Sequence, residues 1–349
     1  MKNIYSYVVI IALSAMLSCN KDVQPGDQHF FLKHRNSILP VWIRGNQQAE
    51  TFIVTIHGGP GGFGGLFPRS EAFQQLEKKY GLVYWDQTGT ANDQGVAPIE
   101  DINNENFAEE TDLVIEWIRQ HYPGRKIFLL GHSHGGAIGT EYLSTPERQS
   151  KITGWIEVDG AHITVQHPVA LNFSKAFVLN YANQQIAKSN LSSKERNFWN
   201  KAIAFEQQLT EITADNQRTH IAYVRAAKGY YQNETFDLQL DDVLDLLLLS
   251  KNDMAAVTPS QIRAINAPAI LKPIDYRPRM HNITLPTLYL WGRYDGILPV
   301  ALLPLGLDAL GTATADRHSF IFENSAHNPF DEESGLFFEQ VDQFVERYN

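Results

Sequence analysis

Among 349 residues there is a single cysteine, Cys19. No intramolecular disulfide can form, so stability outside a reducing compartment must come from packing. The 12 histidines show no metal-ligand spacing with that cysteine or with one another, and no metal or organic cofactor is expected. No run of Lys and Arg is long enough to track a phosphate backbone, and with a formal net charge of −10 nucleic acid is excluded as an expected partner. Internal repeats and low-complexity tracts are absent too. With 43% hydrophobic residues, 24 glycines and 16 prolines, the chain instead suits an ordinary globular protein with one large core and room for an inserted subdomain.

The first residues follow a different logic. Met1-Lys2-Asn3 gives a short basic start, Tyr7 to Leu17 is apolar but too short to span a bilayer comfortably, and Ser18-Cys19 follows at once. This order reads as an export signal. With the only cysteine at the expected cleavage point, Met16-Leu17-Ser18-Cys19 resembles the lipobox of a bacterial lipoprotein, although Met16 stands where leucine is usual. The resemblance implies cleavage before Cys19, lipidation of its side chain, and a membrane-anchored protein facing the periplasm or cell surface. An ordinary secretory signal with an incidental cysteine is the alternative. Residues 19–29, polar and carrying Pro25-Gly26, read as a tether.

Past the tether, short apolar or β-branched runs recur: Thr51 to Ile56, Leu82 to Trp85, Ile127 to Leu130, Gly154 to Val158, Leu285 to Trp291 and His318 to Phe322. Runs of this length, closed by Gly, Asp or Asn, suit buried parallel strands. A helical pattern fills Phe107 to His121, with Leu113, Val114, Trp117 and Ile118 on one face and Pro123-Gly124 as a stop. Strands alternating with helices predict an α/β fold with a doubly wound, mostly parallel sheet over 30–162 and 283–349. Between them, 163–282 reads as an inserted helical cap: Ser192 and Glu195 fit a capping box, and Asp241 to Leu249 is strongly apolar.

The most informative short segment is Gly131-His132-Ser133-His134-Gly135, set between the apolar run ending at Leu130 and a segment from Gly136 to Leu143 that can be helical. A Gly-x-Ser-x-Gly on a strand-to-helix turn holds its serine in a sharp, exposed bend, the nucleophile elbow; the alternative is a Gly-rich connector. Three partners are then required. His57-Gly58-Gly59-Pro60-Gly61-Gly62 directly follows Ile56, and its unobstructed N–H groups, Gly59 first among them, can join the N–H of His134 as an oxyanion hole. A phosphate-cradling loop would need a Gly-Lys-Ser/Thr ending or dinucleotide spacing, and neither is present. Asp295 and His327 come off the two late strands and supply the orienting acid and the base, in the order Ser, Asp, His. A turn aspartate beside Gly296 and a surface loop histidine are the bland readings of these two.

His57 to Gly62, Trp85-Asp86-Gln87-Thr88-Gly89, the elbow, and the Asp295 and His327 loops together resemble the proline iminopeptidase branch of the α/β-hydrolase family. The resemblance covers roughly 30 to 160 and 283 to 349. It implies Ser133 as nucleophile, His327 as base, Asp295 as its orienter, and Gly59 with His134 as the oxyanion hole. The chain departs from the usual pattern at Thr88, Asn92 and Ala326, where arginine, serine and glycine are common. Aminopeptidases of the branch hold the substrate's free amine with cap carboxylates, for which Glu206 is the candidate here, with Trp199 and Tyr230 as aromatic contacts from a set that includes Phe205, Tyr223 and Tyr231. The expected activity is therefore hydrolysis of a small-molecule or short-peptide substrate through an acyl-enzyme, as an aminopeptidase. Carboxylic-ester hydrolysis is the alternative within hydrolases, and a ligand-binding surface lipoprotein without catalysis the alternative outside them. Oligomeric state is not readable.

Overall fold

The structure is a computed structural model that describes residues 27–232, 262–264 and 266–349. The signal segment 1–18, Cys19, nearly all of the tether and the apolar run Asp241 to Leu249 lie outside the described residues.

Eight strands form one sheet in the order β1-β2-β4-β3-β5-β6-β7-β8. They are β1 (Gln28–His34), β2 (Ser37–Gly45), β3 (Thr51–Ile56), β4 (Gly81–Trp85), β5 (Lys126–His132), β6 (Gly154–Val158), β7 (Thr287–Gly292) and β8 (Arg317–Phe322). From β4 to β8 every neighbouring pair is parallel, while β1, β2 and β4 pair antiparallel at the other edge. The strand reading of the sequence misses the β1–β2 hairpin. Its first residues were assigned to the tether, and Pro40 in the middle of β2 argues against a strand; the structure places Pro40 opposite Phe31, with its carbonyl accepting from Asp86 N–H at 3.1 Å. β7 begins at Thr287 rather than Leu285, because Pro286 has no N–H to give the ladder.

Helices cover both faces. In the central strand β3, Phe52, Val54 and Ile56 join the core on one face while Ile53 joins the other, as the alternation of a strand demands. The first face is closed by α2 (Asn104–His121) and α3 (His134–Leu143), which contribute Val114, Ile115, Ile118, Ile138 and Tyr142. The second is closed by α1 (Glu71–Lys79) and the C-terminal α8 (Ser334–Tyr348), through Phe73, Leu76, Phe337, Val341 and Phe344. α2 starts where Asn103 caps the N–H of Asn106 at 2.9 Å, and it stops ahead of Gly124, which takes φ +78°.

Between β6 and β7 the chain leaves the sheet for α4 (Pro168–Ile186), α5 (Ser193–Gln208) and α6 (Gln217–Ala226). Ser192 and Glu195 make the reciprocal capping box that opens α5. Near its two ends the insertion is drawn together by an antiparallel bridge between Ile163 and Asp275. A short α7 (Leu302–Ala309) then links β7 to β8. Among the described residues no helix is long and apolar enough to cross a membrane.

One contact fixes how α3 lies on the sheet. A Cβ on Gly139 would stand 2.1 Å from Cη2 of the fully buried Trp155, so the helix can approach β6 only with glycine there. Alanine normally gains about 0.5–1 kcal/mol over glycine inside a helix. Here overpacking against a closed core outweighs that gain, and Gly139→Ala is expected to destabilise by about 1–3 kcal/mol in urea unfolding. A stabilised Gly139→Ala chain would show that the contact has slack.

Candidate active site

The parallel strands β3, β5, β6, β7 and β8 all end on the same edge, and the strand order reverses around β3, between β4 and β5. In an open α/β sheet this is where a crevice forms. Ser133 occupies the turn between β5 and α3 with φ +55° and ψ −120°, a conformation that costs on the order of 1–3 kcal/mol for a residue with a side chain. Its neighbours explain how the turn closes: a Cβ on Gly131 would lie 2.4 Å from the Gly135 carbonyl oxygen, and one on Gly135 would lie 2.1 Å from that of Ile56. Because the bend is completed at Ser133 itself, α3 begins at His134, two residues before the helix expected from sequence.

The structure brings the three sequence candidates into one hydrogen-bonded line. Ser133 Oγ lies 2.9 Å from Nε2 of His327, and Nδ1 of His327 lies 2.8 Å from Oδ2 of Asp295. The other oxygen of Asp295 accepts from the N–H groups of Ile297 at 2.8 Å and Leu298 at 3.0 Å, which fixes the carboxylate in the plane the imidazole needs. Asp295 and His327 are buried, while Ser133 faces a cavity. The same cavity is bounded by Gly58, Gly59 and the first turn of α3. His134 is the first helical residue, so its N–H has no acceptor within the helix and is available to a substrate oxygen. Gly59 takes φ +137°, and a Cβ there would fall 2.6 Å from the N atoms of Gly61 and Gly62.

The glycine loop is held from β4. Asp86 accepts from Gly64 N–H at 2.7 Å, and Gln87 donates its side-chain amide to the carbonyl of His57 at 3.2 Å. This gives the Trp85 to Gly89 segment its role beside the loop. Thr88 donates its N–H at 3.1 Å to the buried Glu110, whose carboxyl burial pushes up to about 8.

Three more histidines surround Ser133, and burial keeps each of them neutral. His57 is pushed down to about 4, His134 to about 4, and His132 to about 3, where proximity to His327 adds to the desolvation. Each is engaged: His132 Nε2 donates to the His327 carbonyl at 2.9 Å, His134 Nε2 to Asn104 Oδ1 at 2.8 Å, and His57 Nδ1 to the Gly58 carbonyl at 2.8 Å. Of the four, only His327 has an imidazole nitrogen on the serine oxygen.

The cavity measures about 360 Å³ and is mainly apolar, with Phe63, Phe67, Ile221, Ile270 and Ile274 among its walls. Tyr230 and Tyr231 line it, and the Tyr230 ring centroid is 5.5 Å from that of His327. Glu206 and Trp199 do not. Both were candidate substrate contacts, but Glu206 is fully buried with its two oxygens 3.0 Å from Nδ1 of His220, and Trp199 packs on Tyr181 and Phe198 inside the insertion. A helical period shows that a face is buried, but whether it meets a cavity or a neighbouring helix depends on tertiary packing. Among the described lining residues the one carboxylate is Asp331, at the cavity wall, which accepts from the Tyr231 hydroxyl at 2.9 Å.

Sequence reasoning overlooks Asp159. It closes β6 with φ +43°, is fully buried, and accepts from Gly292 N–H at 2.8 Å. A donor atom from each of Asp159, Asp295 and His327 lies within 4.8 Å of the other two, among the described residues the only such His/Cys/Asp/Glu grouping. The facing atoms of Asp295 and His327 are taken up by each other, and Asp159 stands beside that pair as a third buried group. Burial first, and the charge of Asp295 second, hold the Asp159 carboxyl well above the ordinary range. The available signal was Asp159-Gly160 at a strand end, the same Asp-Gly pair as Asp295-Gly296.

Residues 51–334 match the family described as alpha/beta hydrolase fold. The chain belongs to that family. It is 23% identical over 315 residues to the "Probable aminopeptidase YbaC" of Bacillus subtilis, covering 86% of this chain and 91% of the relative. It is also 23% identical to the proline iminopeptidase of Saccharolobus solfataricus, over 84% of each chain. Among solved structures, the proline iminopeptidase of Mycobacterium smegmatis superposes with a TM-score of 0.64 at 16% identity, over 92% of this chain and 98% of that one. An esterase of Exiguobacterium antarcticum superposes at 0.61 with 17% identity, over 91% and 100%. The protein is thus a hydrolase of the α/β-hydrolase fold that resembles the proline iminopeptidase branch.

For Asp159 the consequence is a pH dependence of stability. An acid whose folded pKa is raised stabilises the fold most below its unfolded pKa and loses that contribution as pH rises toward the folded value. Asp159→Asn keeps an acceptor for Gly292 and has nothing to titrate. The stability of the wild type relative to Asp159→Asn is therefore expected to fall above about pH 4, by up to ~1.4 kcal/mol per pH unit. Parallel stability curves for the two chains between pH 4 and 8 would show that Asp159 is not held protonated.

Proposed function

We propose that the protein is a serine hydrolase that cleaves a small amide bearing a free N-terminal amine, in the manner of an aminopeptidase, through an acyl-enzyme. The observation that carries this reading is the continuous Ser133–His327–Asp295 line opening on a cavity that also presents the N–H of His134 and the Gly58-Gly59 loop. Ser133 Oγ attacks the carbonyl carbon while its proton passes to Nε2 of His327, and the imidazolium is balanced by Asp295. The negative charge on the former carbonyl oxygen is met by N–H donors, each worth on the order of 10²–10³ in turnover. His327 then gives its proton to the leaving amine as the C–N bond breaks. A water, deprotonated in turn by His327, attacks the acyl-serine and restores the hydroxyl. The neutral states of His57, His132 and His134 keep positive charge away from Nε2, so that it remains free to accept.

Support for an amide substrate comes from the two relatives aligned over most of the chain, both named for peptidase activity. Since Glu206 is committed to His220, the carboxylate that can meet a substrate ammonium among the described lining residues is Asp331 at the wall. The specific observation favouring ester hydrolysis as a second reading is the mainly apolar lining. A comparison of aminoacyl arylamides, the same compounds with a blocked amine, and short aryl esters separates the two. Turnover of the free-amine arylamide that disappears on blocking is expected, and turnover of esters alone would overturn the peptidase reading. Ser133→Ala is expected to lose turnover by at least about 10³-fold and to lose fluorophosphonate labelling. Undiminished labelling of that variant would place the nucleophile elsewhere.

The Met16 to Cys19 sequence supports a location as well: export, and attachment to a membrane through a lipid on Cys19. Cells fed an alkyne fatty acid should label the wild-type chain and not Cys19→Ala. Equal labelling of both would put any lipid on another residue.

A further inference from the structure

Outside the reacting set, the insertion contains a second chain of Ser, His and acid. His220 on α6 presents Nδ1 to both oxygens of Glu206 on α5, at 3.0 Å each, and Nε2 to Ser174 Oγ on α4 at 2.9 Å. Ser174 Oγ in turn lies 2.5 Å from the carbonyl oxygen of Gly296, the residue after Asp295. All three side chains are fully buried. A carbonyl oxygen can only accept, so the serine hydrogen goes to Gly296, and the serine oxygen must accept from Nε2–H of His220. The hydroxyl is then committed on both sides and shielded from any substrate, which excludes Ser174 as a second nucleophile. The chain has a direction instead: it begins at a carboxylate in the insertion and ends on the peptide beside the catalytic acid.

The insertion holds the same place from the other side. Gly296 N–H donates to the Gly229 carbonyl at 2.9 Å, so both peptide groups of Gly296 are bound by the insertion. One residue further, the Tyr230 carbonyl accepts from His327 N–H at 3.2 Å and from Asn328 Nδ2 at 3.1 Å. Gly229 and Gly296 approach so closely that a Cβ on Gly229 would stand 2.8 Å from Cα of Gly296. Acid loop and base loop are therefore spaced by two consecutive residues of the insertion, and the buried chain anchors the acid end of that spacing. Buried polar networks that are fully satisfied rigidify the groups they join, and a shift on the order of 1 Å at a reacting group can cost about 10²-fold in rate.

We propose that Glu206, His220 and Ser174 are positioning residues that set the reach of Asp295, making the helical insertion a working part of the reaction centre as well as a wall of its cavity. This rests on Ser133, His327 and Asp295 being the reacting set.

The test uses the full chain and compares wild type, Ser174→Ala, Val178→Ala and Ser133→Ala. Val178 is a fully buried apolar residue on the same helix, outside the hydrogen-bonded chain, so its truncation loosens α4 while leaving the hydrogen bonds to Gly296 in place. Each variant is measured for melting temperature, for the rate of inactivation by a small fluorophosphonate, and for kcat and KM on whichever of the two substrate classes is turned over. Ser174→Ala is expected to slow labelling and lower kcat by about tenfold with KM little changed. Val178→Ala is expected to lower the melting temperature at least as much and to label at the wild-type rate. Wild-type labelling of Ser174→Ala, or equal slowing by Val178→Ala, would overturn the positioning role while leaving the serine reading intact. Labelling of Ser133→Ala at the wild-type rate, or none of the wild type, would overturn the serine reading itself and the relay with it.

Discussion

The left-handed backbone at Ser133 is the constraint on which the rest of the architecture turns. A serine at φ +55° is held there only because β5 and α3 are fixed on both sides of it, and they are fixed because Gly131, Gly135 and Gly139 let helix and strand approach to distances no Cβ would allow. The buried Trp155 fills the space left at Gly131 and Gly139, while Gly135 lies against the backbone of Ile56 and His57. Packing in the first core thus supplies the energy that keeps a strained residue in place, and that residue's side chain is thereby directed away from the core into the cavity.

The electrostatics follow from the same burial. A water-poor site makes every charge expensive, and the protein meets this by keeping His57, His132 and His134 neutral and by giving Asp295 two backbone N–H donors besides the imidazole. Asp159 shows the same economy: next to one buried carboxylate, the second keeps its proton. The site is left with one imidazole facing Ser133 Oγ and one acid facing that imidazole, an arrangement in which a proton has a single short path.

Much of this was legible in the chain itself. The strands β3 to β8 stand out as short apolar runs, and the order of Ser133, Asp295 and His327 at strand ends needs no coordinates, because the edge of a parallel sheet collects its C-terminal loops by topology alone. The capping box at Ser192 is local and was equally readable. What escaped detection was either contradicted locally or decided at long range. Pro40 hides a strand that pairing with β1 and β4 accepts, and Asp159 looks like any turn aspartate until β6 is set beside β7. Glu206 and Trp199 have the amphipathic setting of cap residues, but α6 brings His220 to Glu206 and α4 brings Tyr181 to Trp199, so that they meet neighbouring helices in place of a cavity.

Sequence by itself determined strands β3 to β8, the sharp turn at Ser133, the glycine loop and the strand-end positions of Asp295 and His327, because each depends on residue type within a few positions of a strand end. Only the tertiary structure decided which side chains reach the cavity and which serve the loops from behind. Glu206 joined His220 and Ser174 instead of facing a substrate, and Asp159 came to accept from Gly292 beside Asp295, for one physical reason: a polar group shut off from water takes its partner from whatever the fold brings within about 3 Å, and that neighbour is often more than a hundred residues away in the chain.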